Sequence, residues 1–166
     1  MVEMALVLPW LLLLILGMID FGKAMNYWID ETHLANEGAR WVIVGNNPGA
    51  ASGKKLQRYI LDQADTAELH GDVRGTQPAK QAATVNICYY KASDGTSTSS
   101  PSIGDTVQVT VAYTYHWMPF LTSAQWGGLG PSTTIVGKSA MRLEAVPDPT
   151  KISTADNTGG SCPSSI

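Results

Sequence analysis

The sequence has no basic residue before Lys23, although it contains 11 lysines and arginines in all. Secretory signal peptides begin with a basic region, followed by a short apolar core and a small-residue cleavage site. The missing basic region, and a helical pattern that continues beyond the apolar core, argue against a signal peptide. An ordinary signal anchor, oriented by the charges around it, is an alternative.

Motifs for catalysis and for ligand binding are also missing. There is no Gly-x-Ser-x-Gly elbow, no Cys-x-x-Cys-His motif and no basic patch with interleaved aromatic residues, and the net charge is −3. The glycines and lysines at 49–55 are wrongly spaced for a phosphate loop. The histidines lack metal-ligand spacing, and DGTSTSS at 94–100 offers calcium only one carboxylate. We therefore predict no catalytic residue, no metal site, no cofactor and no nucleic-acid partner, and we expect the protein not to be an enzyme.

The most informative segment is an uncharged apolar run from Met4 to Ile19, which Glu3 and Asp20 bound. As a helix this run is about 24 Å long at ~1.5 Å per residue, which falls short of the ~20 residues of an upright bilayer span. If the helix continues to Met25, with the Lys23 side chain extended towards the membrane surface, it is long enough to cross.

The helical pattern continues well beyond the run. Apolar residues recur at i, i+3, i+4 and i+7 spacing as Met25, Trp28, Ile29, Ala35, Ala39, Val42 and Ile43. GNNPG at 45–49 then gives a helix stop signal. We predict one helix of about 44 residues within a segment 1–46, apolar all round in its first half and amphipathic in its second. Pro9 predicts a kink.

Residues 47–146 are predicted to form a small α+β domain. A second helix is expected from Leu56, Tyr59, Ile60, Ala64 and Ala67, with Ser52 as its N-cap. A period of two then predicts strands of an antiparallel sheet near 85–90, 107–115 and 135–143. The segment between the last two strands is expected to be a long loop packed on the sheet. Its apolar residues are Trp117, Met118, Phe120, Leu121 and Trp126.

The tail 147–166 is rich in Ser, Thr, Gly and Pro and has too few apolar residues to form a core. It contains Cys162, and the other cysteine, Cys88, lies on a predicted strand. Two cysteines in one small domain outside the cytoplasm usually pair. Because the tail has no other evident means of docking, we predict a Cys88–Cys162 disulfide that tethers it. Two free thiols, or a bond between subunits, are the alternatives.

The opening VEMALVLPWLLLLILGMIDFGKAM resembles the signature of the TadE-like family of type IV pilin-related proteins. Its elements are a Val-Glu pair, a Leu-rich run containing Pro, and an acid-Phe-Gly-basic step. HLANEGARWVIVG resembles the Ala-rich end of the family's long helix, and GDTVQVTVAYTYHWMPFL and KSAMRLE resemble its late strand segments. The resemblance covers roughly residues 1–146. It implies a pilin-like fold, with a helical stalk packed on a small antiparallel sheet.

In pilins of this kind a prepilin peptidase cuts after a glycine, and a glutamate stands fifth in the mature chain. Glu3 matches that glutamate, although it is third here, so either two mature residues are missing or processing differs. A carboxylate in an apolar bundle is costly unless a cation pairs with it. We predict that Glu3 pairs with an N-terminal amine and fixes the register between subunits. Capping of the helix start is the alternative role.

These features together predict a structural subunit of a type IV pilus-like extracellular filament, stored in the cytoplasmic membrane before assembly. The predicted filament core consists of Leu6, Leu8, Pro9, Leu11, Leu12, Leu13, Leu14 and Ile15. The expected partners are copies of the same chain; the resemblance implies a prepilin peptidase, an assembly platform and its ATPase. One alternative is a minor pilin or pseudopilin of a Tad-type assembly or secretion system. Another is a membrane-anchored extracytoplasmic binding domain that does not polymerise.

Overall fold

A computed structural model describes residues 2–70, 83–118 and 132–165, and it confirms the predicted α+β arrangement of a long helix on a small antiparallel sheet. Its helices are α1 (Val2–Ile43), α2 (Leu56–Asp62) and α3 (Ala67–His70). Its strands are β1 (Thr84–Tyr90), β2 (Ser97–Thr98), β3 (Thr106–His116) and β4 (Ser132–Arg142). Single 3₁₀ turns lie at Ala50–Ser52 and Thr154–Asp156.

Helix α1 is unbroken for 42 residues and continues through Pro9, which confirms the predicted single long helix. Its end is a glycine cap: Gly45 has a φ of +64°, which L side chains rarely adopt. The Gly45 amide donates to the Val42 carbonyl at 2.9 Å, and the Asn46 amide donates to the Trp41 carbonyl at 3.0 Å. This pair of bonds is the Schellman arrangement, which satisfies carbonyls that the helix end would leave unpaired.

The second helix differs from its prediction at both ends. Helix α2 begins at Leu56, and its N-cap residue Lys55 makes no side-chain capping hydrogen bond to the helix. Ala67 belongs to the separate helix α3. The Ser52 N-cap prediction is wrong because the preceding loop folds around a buried Asn47 instead. The Asn47 side chain accepts from the Gly49 amide at 2.9 Å and donates to the Lys54 carbonyl at 3.0 Å.

The sheet has the strand order β2-β1-β3-β4, and every neighbouring pair is antiparallel. Val109 on the central strand β3 lies opposite Ile87 of β1 and Ser139 of β4. The three strands predicted from alternation are present. The short strand β2 lies within the loop 93–105 and was not predicted, because Ser97 and Thr98 carry no apolar alternation.

One face of the sheet packs against the second half of α1 and against α2, and together they form the core. Its fully buried apolar side chains include Leu34, Ala35, Ala39, Val42, Leu56, Ile60, Val85, Ile87, Val107, Val109 and Val111. Most of the long loop expected between β3 and β4, including Phe120, Leu121 and Trp126, lies outside the described residues. Trp117 and Met118 at its start are partly buried.

Helix α1 lies very close to β4 at Gly137. A Cβ atom added there would lie 2.4 Å from the Glu31 carbonyl carbon, 2.5 Å from its oxygen and 2.6 Å from the Thr32 nitrogen. These are backbone atoms, so no side-chain rotation relieves the overlap. The Glu31 side chain is fully buried at this crossing. The helix therefore lies on the sheet only because position 137 lacks a side chain.

We expect Gly137→Ala to lower the free energy of unfolding by about 1–3 kcal/mol, the typical cost of overpacking a tight core. Thermal unfolding of the full chain in detergent would measure this loss. Gly22→Ala is the matched control, because a Cβ at position 22 meets nothing within 4 Å and alanine favours a helix. Equal melting temperatures for Gly137→Ala and the unaltered chain would contradict the close approach.

Candidate assembly surface

The first half of α1 projects from the domain with its apolar side chains uncovered. Of the predicted filament-core residues, Leu13 is half-buried and the others are exposed, namely Leu6, Leu8, Pro9, Leu11, Leu12, Leu14 and Ile15. Leu6 exposes 69% of its surface and Leu12 exposes 50%. By length and composition, α1 is the one helix among the described residues that could cross a membrane. A contiguous apolar surface of this size marks a site of interaction with lipid or with protein.

The apolar surface continues on one side of α1 after the domain begins to cover the other side. Phe21, Met25, Trp28 and Ile29 are exposed. On the covered side Ala24, Leu34 and Ala35 are buried against the domain. Lys23 and Asn26 are exposed among these apolar residues. After Ile29 the uncovered side is polar, with His33, Asn36 and Arg40 exposed. We name the exposed apolar side chains from Leu6 to Ile29 the stalk surface.

Asp20 marks the place where the domain first covers the helix. It is 1% exposed, and the Tyr115 hydroxyl of β3 donates a hydrogen bond to its carboxylate. The Met118 amide donates a second bond to the same carboxylate at 3.0 Å. In the sequence Asp20 was only the end of the uncharged run, and nothing local revealed that the end of β3 would cover it. The two bonds join the stalk to the sheet.

Aromatic rings surround this junction. Tyr27 on α1 stacks on Tyr113 of β3 at a centroid distance of 5.4 Å, and it also contacts Tyr115 at 5.4 Å. Trp117 meets the Tyr115 ring edge-on at 5.1 Å. Burial, and then the hydrogen bond to Asp20, raise the pKa of Tyr115 well above its usual value. The hydroxyl therefore remains a protonated donor at every physiological pH.

Glu3 lies within the helical part of α1, and its side chain is outside the described part of the structure. Its pairing and register role accordingly stays a prediction. The roles of the predicted filament-core residues stay predictions as well, although their exposure makes them available for contact. Within residues 2–70, 83–118 and 132–165, no cluster of three His, Cys, Asp or Glu side chains is placed to hold a metal ion.

The predicted disulfide is present: Cys88 on β1 is bonded to Cys162 in the tail. The expectation that the tail has no other means of docking is wrong. Ile152 is 3% exposed, and the Gln57 side chain of α2 donates to the Ser153 carbonyl at 2.8 Å. Lys55 also forms an ion pair with Asp156. Hydrogen bonds, the ion pair and the buried Ile152 therefore order a segment that contains few apolar residues.

Comparison with known proteins gives one match, at the N-terminal end of the chain. Residues 1–40 match the family model of TadE, described as TadE-like protein. The TadE-like resemblance of the N-terminal segment is thus confirmed. The match spans the stalk surface, the Asp20 junction and most of α1, and it does not extend to the sheet. No curated protein and no solved structure matches the chain.

We expect Tyr115→Phe to destabilise the junction, because among the described residues the buried Asp20 carboxylate then keeps the Met118 amide as its one donor. Hydrogen bonds to charged groups contribute about 1.5–3 kcal/mol, so the melting temperature of the full chain should fall measurably. Tyr113→Phe is the control, because it keeps the ring stacked on Tyr27 and removes no bond to Asp20. Equal melting temperatures for Tyr115→Phe, Tyr113→Phe and the unaltered chain would show that the hydrogen bond from Tyr115 to Asp20 contributes nothing to stability.

Proposed function

We propose that this protein is a pilin-like structural subunit of a Tad-type pilus, which polymerises through α1. The observation that carries the proposal is the stalk surface, an apolar helix half that the domain leaves uncovered. The TadE-like match over residues 1–40 supports the same assignment. The expected non-enzymatic role is part of the proposal.

Before assembly, the stalk surface would be covered by lipid. Asp20 is buried beneath the end of β3, so Lys23 is the first exposed charge after the uncharged run. A lysine at this position can extend its amine to the headgroup layer while its methylene groups stay in hydrocarbon. The domain would then sit at the membrane surface, on the extracytoplasmic side.

Lipid fits the whole stalk surface poorly. From Leu6 to Ile29 the helix is about 35 Å long at ~1.5 Å per residue, whereas the hydrocarbon core is ~30 Å thick. An upright helix therefore leaves part of its apolar side outside the hydrocarbon. A bundle of helices from successive subunits extends along the whole filament, so a polymer can cover the complete stalk surface.

In the filament, helices would form the core and the sheet domains the exterior. A contact between two different patches of identical subunits generates a helical polymer when its rotation does not close into a ring. Because lipid is as apolar as leucine, the gain on leaving the membrane depends on how well the helices pack. The family resemblance supplies the remaining partners of the proposal, which are a prepilin peptidase, an assembly platform and an ATPase.

We expect Leu12→Lys to abolish filaments while the protein still accumulates in the membrane fraction. A lysine in the middle of the packed helices is a buried charge without a partner. Such a charge destabilises the packed helices by several kcal/mol. Electron microscopy and quantification of sheared surface filaments would measure the loss. Ile103→Lys is the matched control, because Ile103 is an equally apolar residue, 67% exposed, on a loop of the domain.

Filaments at normal yield from cells with Leu12→Lys would overturn the proposal and favour a membrane-anchored domain that does not polymerise. If the protein is instead a minor subunit, Leu12→Lys would reduce filament number. Mass spectrometry of purified filaments would then identify a different chain as the main component.

We expect Glu3→Gln to leave membrane insertion intact and to reduce filament yield severely, because the amide cannot pair with a neighbour's amine. Counting filaments per cell at matched protein levels would test this expectation. A wild-type number and length of filaments would reduce Glu3 to a helix-capping residue, whose effect is about 0.3–1 kcal/mol.

A further inference from the structure

A cleft lies where the stalk meets the domain, between α1, α3 and the end of β3. Its volume is about 360 Å³, and its walls include Asp20, Tyr27, Glu68 and Tyr115. Sites for small ligands typically have volumes of about 300–1,000 Å³. The cleft therefore has room for a small polar group at the point where the uncharged run ends.

The inner wall of the cleft carries negative charge. Asp20 is 1% exposed, and its carboxylate accepts hydrogen bonds from the Tyr115 hydroxyl and the Met118 amide. Within the described part of the chain, no basic side chain forms an ion pair with Asp20. Glu68 on α3 adds a second carboxylate beside Tyr27. A buried anion is stabilised by an opposite charge, so this wall favours a ligand with a cationic group.

The rim of the cleft carries positive charge. Lys23 follows Asp20 by about one turn of α1 and lines the same cleft, but it is exposed. It forms no ion pair with any described residue. His116 at the end of β3 also lines the cleft and is exposed. Carboxylates inside and an ammonium group at the rim are complementary to a zwitterion whose cation enters first and whose anion stays near Lys23.

The position of the cleft along α1 indicates where such a zwitterion comes from. Ile19 and Phe21, on either side of Asp20, are exposed apolar residues of the stalk surface. In the membrane-stored state Lys23 extends its amine to the headgroup layer. The cleft then opens among phospholipid headgroups, and the hydrocarbon lies on its N-terminal side.

We propose that the cleft binds the headgroup of a phospholipid that ends in a primary ammonium group, as ethanolamine phospholipids do. The ammonium group enters towards Asp20 and Glu68 and donates charge-assisted hydrogen bonds there. The phosphate stays at Lys23, and the acyl chains run along the stalk surface. This inference rests on the membrane-stored state of the proposed function, and it does not require polymerisation.

Lipid competition on the unaltered chain tests the proposal. The full-length protein is held in detergent micelles with equal amounts of an ethanolamine and a glycerol phospholipid that have the same acyl chains. Native mass spectrometry measures which lipid the protein retains. We expect about tenfold more of the ethanolamine lipid, because the glycerol headgroup lacks the cation that the carboxylates bind. Equal retention of the two lipids overturns the proposal.

Glycerophosphoethanolamine has the same headgroup without acyl chains, and it distinguishes a lipid from a free ligand. At about tenfold excess over the lipid it should displace little of the bound lipid, because it lacks the chains that the micelle and the stalk surface hold. Displacement of most of the lipid would overturn the lipid as the occupant of the cleft.

Two substitutions separate the inner wall from the rim. Asp20→Asn keeps an acceptor oxygen but removes the charge, so the preference for the ethanolamine lipid should fall severalfold. Lys23→Gln should lower the retention of both lipids to a similar extent, because both carry the phosphate. The matched controls are Glu144→Gln and Lys91→Gln, since both residues are exposed and lie outside the cleft.

An unchanged lipid preference in Asp20→Asn contradicts the proposal. If this variant folds poorly, Glu68→Gln gives the same comparison, and the competition on the unaltered chain needs no substitution. The measurement is independent of filament yield. A chain without lipid preference whose filaments are still lost in Leu12→Lys would remove the headgroup site and leave the proposed function standing.

Discussion

The backbone contact between α1 and β4 at Gly137 is the constraint on which the domain depends. It lets the helix lie directly on the sheet, and it places the Glu31 side chain in the buried interior. About 16 Å towards the N-terminus, at ~1.5 Å per residue, the Asp20 junction fixes the other end of the contact. From Asp20 onwards α1 contributes buried residues to the domain, and most of the apolar side chains before Asp20 are exposed.

This division gives one helix two environments. The covered side from Ala24 onwards carries small and aliphatic residues that match the sheet, as an amphipathic helix should. The uncovered side keeps exposed apolar residues as far as Ile29, about two and a half turns beyond Asp20. Soluble monomeric domains rarely expose an apolar surface of this kind, because exposed apolar patches favour association. The excess is consistent with a chain whose helix passes from lipid into a polymer.

The sheet shows how polar residues can replace a strand. Asn157 and Thr158 bond both the amide and the carbonyl of Ile87 and Val85, so the edge of β1 is closed without another β-strand. Unprotected edges promote association between sheets, and proteins commonly cover them. Composition alone marks this tail as unable to form a core, but it does not exclude docking by hydrogen bonds to a strand that already exists.

The sequence by itself determined the long helix, the three main strands and the Cys88–Cys162 pairing. The spacing of apolar residues, the helix stop signals and the number of cysteines can be read from the sequence without knowledge of the fold. The tertiary structure alone decided the burial of Asp20, the need for glycine at 137, the position of β2 and the docking of the tail. Apart from β2, which pairs with the nearby β1, each of these depends on which parts of the backbone approach each other across more than 30 residues of chain. No local pattern encodes that approach, because the partners meet only after the helix has packed on the sheet.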